Sequence, residues 1–170
     1  MTAALAYVGL GSNLAHPRRQ LARALRALDR VPASRVVAVS RSYRTAPIGA
    51  PGPQPDYVNA VAAIRTSLTP RALLRSLLAI ERRHGRRRDA ATPRNAARTL
   101  DLDLLLYGGR RVHGVGMTLP HPRMHERAFV LRPLADVAPH ARIPGRGLAR
   151  RRLRALRDQR VVPTRRHFVR

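Results

Sequence analysis

The segment RTLDLDLLLYGG, residues 98–109, is the feature that most limits what this chain can fold into. It alternates leucine with aspartate, and successive side chains of a β-strand point to opposite faces of the sheet. A strand here would therefore put its leucines on a core face and Asp101 and Asp103 together on the opposite face. The leucines of the predicted core face are Leu100, Leu102 and Leu104. Because the whole chain has nine Asp and Glu residues, two neighbouring carboxylates on one strand face need an explanation.

Two explanations of this aspartate pair are open at the level of the residues. The acids lie on a solvent-exposed sheet face, which is common for so short a pattern, or they share a cation that offsets their mutual repulsion. Mg²⁺ fits the second case, because it prefers carboxylate oxygens and leaves coordination positions for substrate phosphates. Arginines crowd the preceding segment, and carboxylates with a metal beside guanidinium groups are the groups used in phosphoryl transfer. These arginines are Arg82, Arg83, Arg86, Arg87, Arg88, Arg94 and Arg98.

The order of hydrophobic patterns along the chain predicts β-α-β-β-α-β. The patterns predict strands at 5–10, 34–45, 57–67 and within 98–109, and helices over 16–31 and 70–85. Thr69 and Pro70 indicate the start of the second helix, and Gly85 indicates its end. A proline- and glycine-rich loop, 46–56, and a basic loop, 86–98, connect these elements. Two helices on one face of an antiparallel sheet define the ferredoxin-like α+β plan, which is the fold we expect.

The formal net charge of +25 indicates either a polyanionic partner or a coding bias. All 34 basic residues are arginine, and a chain rich in arginine and alanine is also typical of a GC-rich genome. A polyanionic partner would be nucleic acid, an anionic membrane or a phosphorylated ligand. An RNA-binding sheet of the RRM type needs aromatic residues on its strands, whereas the sheet face predicted here carries aspartates. We therefore expect small phosphorylated ligands, no nucleic acid and no membrane.

The chain contains no cysteine, which excludes disulfides, thiolate metal sites and cysteine nucleophiles. The N-terminal segment has no basic leader and no cleavage pattern, so we expect a cytoplasmic protein. We also expect a monomer.

Neither of the two common phosphate-binding loops is present in the sequence. The segment GLGSNL has Leu14 in place of the third glycine of G-x-G-x-x-G, and a Walker A loop needs a lysine. A nucleotide would therefore be held by arginines and metal rather than by a glycine-rich loop. Another Mg²⁺-dependent nucleotidyl- or phosphotransferase on the same fold is an alternative function.

Six segments occur in a fixed order along the chain: YVGLGSNL, SYRTAPIG, QPDYVNAVAAIRTSL, IERRHGRRR, RTLDLDLLLYG and LPHPRMHERAFVLRPLADVAP. Together they resemble the 6-hydroxymethyl-7,8-dihydropterin pyrophosphokinase family of folate biosynthesis, over residues 5–140. The resemblance implies a ferredoxin-like fold that binds MgATP and a reduced pterin. It implies transfer of the terminal pyrophosphoryl group of ATP to the pterin hydroxymethyl oxygen, with release of AMP. It also implies a catalytic domain at 1–145 and leaves a basic C-terminal extension, 146–170, without a counterpart.

The resemblance assigns the acidic pair and two arginines to catalysis. Asp101 and Asp103 would hold two Mg²⁺ ions, which bridge the triphosphate and neutralise the charge of the β-phosphoryl group. Arg86 and Arg98 match the loop arginines that act on the phosphates, and Arg88 would assist them. Arg94 is the alternative to Arg98, which we prefer because its spacing to Asp101 is fixed. The loop before Arg98 reads TPRNAAR and lacks the tryptophan that the family commonly carries there, as W-G-P-R.

Five residues match the pterin-binding positions of the family. Asn59 would pair with the edge of the ring, because its amide offers both a donor and an acceptor. Backbone groups of Thr45 and Ile48 would do the same. Tyr57 and Phe129 would sandwich the ring, although ordinary core packing also accounts for two aromatic side chains.

On the ATP side, His121 and Arg127 match residues that contact the triphosphate. Glu81 lies on the apolar face of the second predicted helix, where it either faces the nucleotide or pairs with an arginine. His121 and His125 also have the spacing of a zinc site, but Pro122 argues against a helix that would hold both. The expected ATP contacts are Glu81, Arg86, Arg88, Arg98, His121 and Arg127.

Overall fold

A computed structural model describes residues 2–86, 93 and 95–164. Arg88 and Arg94 therefore lie outside the described residues. Within them, the elements in chain order are β1 Ala4–Ser12, α1 Pro17–Asp29, β2 Ser34–Val39, β3 Tyr43–Thr45, β4 Tyr57–Thr66, α2 Pro70–Arg83, β5 Asp101–Tyr107, β6 Val112–Gly114, β7 Met117–Leu119, a 3₁₀ turn Met124–Glu126, α3 Ala128–Val137, β8 Arg142–Ile143, β9 Gly147–Leu148, α4 Ala149–Arg154 and β10 Val162–Pro163.

The main sheet is antiparallel, and β1 and β4 form its centre. β1 pairs with β4 on one side and with β5 on the other. The far edge of β4 pairs with both β2 and β3, and β10 adds to β3 at the edge of the sheet. This order, with α1 between β1 and β2 and α2 between β4 and β5, confirms the ferredoxin-like α+β fold.

The predicted helices α1 and α2 both pack on one face of the sheet and close the larger of two cores. Their apolar positions recur at helical spacing, so each helix has one buried side. Thr69 begins α2 as predicted, because its hydroxyl oxygen accepts the Ala72 N–H at 3.2 Å. Gly85 follows the end of α2 with a φ of +79°, a left-handed conformation that glycine adopts without strain. Leu102 and Leu104 of β5, and Leu100 just before the strand, are buried in this core, as the alternation predicts.

The second core lies on the opposite face of the sheet, under α3 and α4. Leu105 and Leu106 both pack into it, although they are consecutive residues. A register shift between β1 and β5 explains this, since Leu104 pairs with Val8 and Leu106 pairs with Tyr7. The extra residue in β5 interrupts the strict alternation and turns two leucines toward α3.

The described part of the basic C-terminal segment packs on this second core. Ala149 is buried, Leu153 and Leu156 contact the core, and β10 is hydrogen-bonded into the main sheet. Residue 145 therefore does not separate two structural units among the described residues. Among its described residues, this segment forms a short helix followed by an extended stretch that returns to the sheet.

The strand expected over 34–45 is two strands, separated at Ser40–Ser42. The N–H of Ser40 donates to the Val61 carbonyl oxygen, as a ladder residue does. The N–H of Val61, however, donates to the Ser40 hydroxyl oxygen at 2.9 Å rather than to a backbone carbonyl. A serine side chain thus replaces one main-chain acceptor, and the ladder is interrupted at this point.

Within the described residues, no helix combines the length and apolar character needed to cross a membrane.

Substitution Ser40→Ala should lower the free energy of unfolding by about 1–3 kcal/mol, because it leaves the buried Val61 N–H without its acceptor. Urea unfolding followed by circular dichroism measures this change. Ser76→Ala is the matched control, since the Ser76 hydroxyl only donates to the Ala72 carbonyl within α2, and it should change stability by less than about 0.5 kcal/mol. Equal effects of the two substitutions would contradict the assignment.

Candidate active site

Two rows of residues cross the sheet on the face that carries the aspartates. In the first row, Gly11 of β1 lies between Asn59 of β4 and Asp101 of β5. In the second row, Gly9 pairs with Val61 on one side and with Asp103 on the other. The side chains of β4 and β5 therefore stand on either side of a strand that has no side chains at these positions.

The two glycines keep the centre of this face open. A Cβ atom at Gly11 would lie 3.1 Å from Asn59 Oδ1 and 3.9 Å from Asp101 Cβ. The first of these distances is tighter than an ordinary contact, so alanine at position 11 would require the Asn59 amide to shift by a few tenths of an ångström. A Cβ at Gly9 would meet Leu105 at an ordinary 3.5 Å. From the sequence these glycines looked only like an incomplete phosphate loop, yet glycine at alternate strand positions is itself a signal of close approach.

All five expected pterin residues line one cavity of about 180 Å³. They are Thr45, Ile48, Tyr57, Asn59 and Phe129. Three expected phosphate or metal residues, Arg98, Asp101 and Arg127, line the same cavity. Asp103 lines a smaller recess beside it, together with Gly9, Asp101 and Phe129. The cavity is therefore apolar and aromatic on one side and strongly charged on the other.

The amide of Asn59 has a defined orientation at the floor of this cavity. Its Nδ2 donates to Thr45 Oγ1 at 2.8 Å, and both residues are buried. Assigned in this way, Asn59 turns Oδ1 toward Gly11 and leaves it as an acceptor for a ligand.

Two arginines bind the carboxylate of Asp101. Arg98 Nη1 lies 2.8 Å from Asp101 Oδ2, and Arg86 Nη1 contacts Asp101 Oδ1. The backbone of Arg98 is itself held, because its N–H donates to Asn13 Oδ1 at 2.8 Å. Arg86 follows α2, and Arg98 precedes β5. The charges of two separate segments therefore meet at one carboxylate.

Glu81 lies beneath this ion-pair cluster rather than in the cavity. It is only 1% exposed, and its Oε1 accepts the Leu102 N–H at 2.8 Å and contacts Arg86 Nη1 at 2.5 Å. Of the two roles considered from the sequence, pairing with an arginine is the one these contacts fit. A buried carboxylate bound to backbone and guanidinium does not fit a direct ATP contact, so we correct that expectation and treat Glu81 as a residue that positions Arg86 and β5.

Asp103 is the less compensated of the two strand acids. Burial, and next the neighbouring charge of Asp101, raise its pKa to about 7, although the positive charge of Arg127 opposes them. His121 Nε2 is 3.9 Å from Asp103 Oδ1. Burial, with Arg127 nearby, lowers the pKa of His121 to about 4, so this imidazole is neutral at pH 7 despite its short distance to a carboxylate. The backbone N–H of Arg123 donates to His121 Nδ1, which puts the imidazole proton on Nε2, the atom that faces Asp103.

Arg127 and Phe129 form one wall of the cavity at the start of α3. The Arg127 guanidinium carbon lies 5.5 Å from the centre of the Phe129 ring, which is within cation–π distance. Burial lowers the pKa of Arg127, with Arg123 adding to the effect. A cation held by an aromatic face and poorly solvated is suited to binding an anion.

Amide side chains join the two loops around the cavity. Asn13 Nδ2 donates to Gln54 Oε1 at 3.2 Å, and Gln54 Nε2 donates to the Asn95 carbonyl at 3.0 Å. Asn95 Nδ2 in turn donates to the Gly49 carbonyl at 3.0 Å. Sequence reasoning missed all three amide residues, as well as Gln159, which also lines the cavity.

The donor set for a metal ion consists of the two strand carboxylates. No group of three His, Cys, Asp or Glu side chains in the described parts of the chain is placed to hold a metal ion. Asp101 and Asp103 alone fit Mg²⁺, which is often bound by one or two carboxylates together with substrate phosphates and water. The raised pKa of Asp103 also marks a carboxylate that lacks enough positive charge.

Comparison with known proteins identifies the family. A sequence profile described as 7,8-dihydro-6-hydroxymethylpterin-pyrophosphokinase (HPPK) matches residues 7–139. The chain belongs to this family. The match includes the aspartate pair, the five expected pterin residues and both segments that carry the arginines. It confirms the resemblance found in the sequence.

Two similar relatives are named 2-amino-4-hydroxy-6-hydroxymethyldihydropteridine pyrophosphokinase. The protein from Pseudomonas aeruginosa is 52% identical over 138 residues, which are 81% of this chain and 83% of the relative. The protein from Haemophilus influenzae is 41% identical over 157 residues, which are 92% of this chain and 96% of the relative.

Solved structures share the fold at low sequence identity. A crystal structure described as HPPK-DHPS in complex with substrates matches with a TM-score of 0.71 and 12% identity, over 91% of this chain. Plasmodium falciparum HPPK-DHPS with pterin and p-hydroxybenzoate matches with a TM-score of 0.68 and 12% identity, over 90% of this chain. The chain spans 43% of each of these longer proteins, and at this identity they support the fold alone.

Substitution Asp103→Asn should make stability less dependent on pH. The folded-state pKa of about 7 lies above the ordinary value of 3.8, so the folded protein holds this proton more tightly than the unfolded chain does. The free energy of unfolding therefore falls as the pH rises from about 4 to about 7. Without Mg²⁺ and with a chelator present, the variant should exceed the parent in Tm at about pH 8 and match it at about pH 4.

Thermal unfolding at both pH values measures this difference. Asp158→Asn, which removes an exposed carboxylate, serves as the control for the loss of one negative charge. A variant less stable than the parent at the higher pH would mean that Asp103 is favourably paired in the folded protein.

Proposed function

We propose that this protein transfers the terminal pyrophosphoryl group of ATP to the hydroxymethyl oxygen of 6-hydroxymethyl-7,8-dihydropterin and releases AMP. The observation that carries the proposal is the single cavity in which Tyr57, Asn59 and Phe129 meet Asp101 and Arg98. A flat heteroaromatic ring fits its uncharged part, and a triphosphate with its metal ions fits its charged part. Membership of the pyrophosphokinase family supports the same reaction.

The pterin half of the proposal rests on the polar floor and the aromatic walls. Asn59 Oδ1 is available to accept the N–H groups along the amino edge of a pterin, while Nδ2 is held by Thr45. Tyr57 and Phe129 both line the cavity and supply flat apolar surfaces for the two faces of the ring. Ile48 is 51% exposed and lies at the rim, where it can cover a bound ring.

The phosphate half rests on the acidic pair and the arginines around it. Asp101 and Asp103 would hold two Mg²⁺ ions, which when bound neutralise phosphate charge and align the reacting oxygens. Arg86 and Arg98 already lie at Asp101, so their guanidinium groups can bind phosphate oxygens beside that carboxylate. Arg88 keeps its proposed supporting role and lies outside the described residues. Catalysis of this kind depends on position and electrostatics rather than on a nucleophilic side chain.

His121 and Arg127 would bind the triphosphate from the opposite side. A neutral His121 with its proton on Nε2 is a donor to phosphate oxygen across the usual pH range. Arg127 is held against Phe129, which links the phosphate-binding cation to the pterin-stacking ring. We propose further that the enzyme acts in the cytoplasm as a monomer and that its substrates are two small molecules.

The identity of the adenine product tests the proposed reaction. Pure protein with ATP, Mg²⁺ and 6-hydroxymethyl-7,8-dihydropterin should form AMP only when the pterin is present. Asp101→Asn and Asp103→Asn should each lower the rate by at least about 100-fold, because each removes charge at the phosphate site. Asp29→Asn is the control, since Asp29 only accepts the Val36 N–H at the end of α1 and asparagine keeps that acceptor.

ADP in place of AMP would replace the proposed reaction by another phosphotransfer on the same fold. AMP formation that survives chelation of divalent cations would remove Mg²⁺ from the proposal. No turnover at all, with pterin and MgATP both bound, would refute the activity.

Substitution Gly11→Ala should raise the KM for the pterin by about tenfold or more, because the added methyl group displaces the Asn59 amide. Steady-state kinetics at saturating MgATP measures this effect. Gly9→Ala places a methyl group at an ordinary distance from Leu105 and should raise the pterin KM much less. The prediction fails if both alanine variants behave alike.

A further inference from the structure

The side chain of Gln159 holds the turn that carries Arg127 and Phe129. Gln159 Oε1 accepts the Ala128 N–H at 2.8 Å, and Gln159 Nε2 donates to the Glu126 carbonyl at 2.9 Å. One amide therefore binds the backbone on both sides of Arg127. These two bonds connect residues more than 30 positions apart in the chain.

This contact also satisfies the first turn of α3. Arg127 precedes α3, and its side chain makes no hydrogen bond to the N–H groups at the start of the helix. Gln159 provides an acceptor for one of them from outside the helix. The position of Phe129, one residue into α3, is thus set partly by a residue of the C-terminal segment.

The same segment is fixed at its other end to the opposite wall of the cavity. β10 pairs with β3, which carries Thr45, and the Thr164 N–H donates to the Ser42 carbonyl at 2.9 Å. Arg18 Nη1 donates to Thr164 Oγ1 at 2.9 Å. The stretch from Gln159 to Thr164 therefore connects the Phe129 wall of the cavity to the Thr45 wall.

A side chamber of about 570 Å³ lies along this stretch and adjoins the pterin cavity. Thr45, Ile48, Phe129 and Gln159 line both spaces. Gln159 thus stands at the boundary between them, and the exposed residues Asp158 and Arg160 line only the side chamber.

We infer that Gln159 is a positioning residue of the pterin site, so that this residue of the C-terminal segment belongs to the active site rather than to a separate extension. The inference rests on the proposed function for the identity of the ligand. Gln159 acts through Phe129 and Arg127: it keeps the stacking ring at a fixed separation from Thr45 and Asn59. Its loss lets the first turn of α3 move and widens the cavity toward the side chamber.

Kinetics and binding of Gln159→Ala test this role. We expect the pterin KM to rise by about tenfold, and the Kd of 6-hydroxymethylpterin to rise by a similar factor, because two hydrogen bonds that order the wall are lost. The fluorescence of the pterin itself reports binding, since the chain contains no tryptophan. Asp158→Asn is the matched control on the neighbouring exposed residue and should change neither value.

Gln159→Glu separates the two hydrogen bonds of the amide. A carboxylate still accepts the Ala128 N–H, and a negative charge at the N-terminus of α3 favours the helix, so thermal stability should be retained. The carboxylate that replaces the amide cannot donate to the Glu126 carbonyl oxygen, so the pterin KM should still rise. Retained stability with a raised KM is the result expected of a positioning residue.

NMR of the phenylalanine rings gives a readout that needs no turnover. The chain has two phenylalanines, so protein labelled at phenylalanine gives two ring systems, and Phe168→Leu assigns the signal of Phe129. Gln159→Ala should shift or broaden the Phe129 signals, and Asp158→Asn should leave them unchanged.

The outcomes separate this inference from the proposed reaction. A parent protein that neither binds pterin nor forms AMP refutes the reaction, while the Phe129 signals still report on Gln159. A lower Tm for Gln159→Ala with unchanged pterin KM, Kd and Phe129 signals overturns the inference, because the residue then only caps a helix. A changed Phe129 signal together with a raised Kd supports it.

Discussion

The contacts of Arg86 and Arg98 with the carboxylate of Asp101 connect the parts of the site that the fold alone would leave separate. Arg86 follows α2 and Arg98 precedes β5, so their ion pairs with Asp101 join the helical layer to the edge of the sheet. Glu81 adds a buried carboxylate that binds both Arg86 and the backbone of β5. In a site of low dielectric these charges stabilise one another as a group, because each partner offsets part of the desolvation cost of the others. The positions of the phosphate-binding groups are thereby set before any ligand arrives.

The site face is unfavourable for folding in two respects. Gly9 and Gly11 contribute no side-chain packing in the middle of the central strand, and Asp103 is a carboxyl group whose pKa burial raises to about 7. The opposite face of the same strands offsets this, since β1, β4 and β5 bury Val8, Ala62 and Leu102 under α1 and α2. One face of the sheet therefore serves stability alone, while the other face carries both the second core, under α3 and α4, and the open, charged ligand site.

Local patterns were sufficient to predict the elements whose chemistry is local. The alternation in β5, the Thr69 cap and the Gly85 end of α2 each depend on a few adjacent residues, and each is found as expected. The break of the edge strand at Ser40 and the bulge at Leu105 depend instead on the register with neighbouring strands, which no single segment encodes. Glu81 illustrates the same limit: its helix face was correctly assigned, but only the tertiary structure shows that its carboxylate turns to Leu102. The role of the C-terminal stretch was invisible for the same reason, since Gln159 contacts a turn about 30 residues earlier in the chain.

The loop that lacks the family's tryptophan shows how a different residue type can join the same two loops. Counted back from Arg98, Asn95 occupies the position of the tryptophan in W-G-P-R. Asn95 has a φ of +59°, a left-handed conformation that asparagine tolerates better than most residues, and its amide donates to the carbonyl of Gly49. Gln54 binds the Asn95 backbone from the same loop as Gly49. Directional hydrogen bonds between amides thus link the pterin side of the cavity to the arginine side, where an aromatic side chain would act by apolar contact.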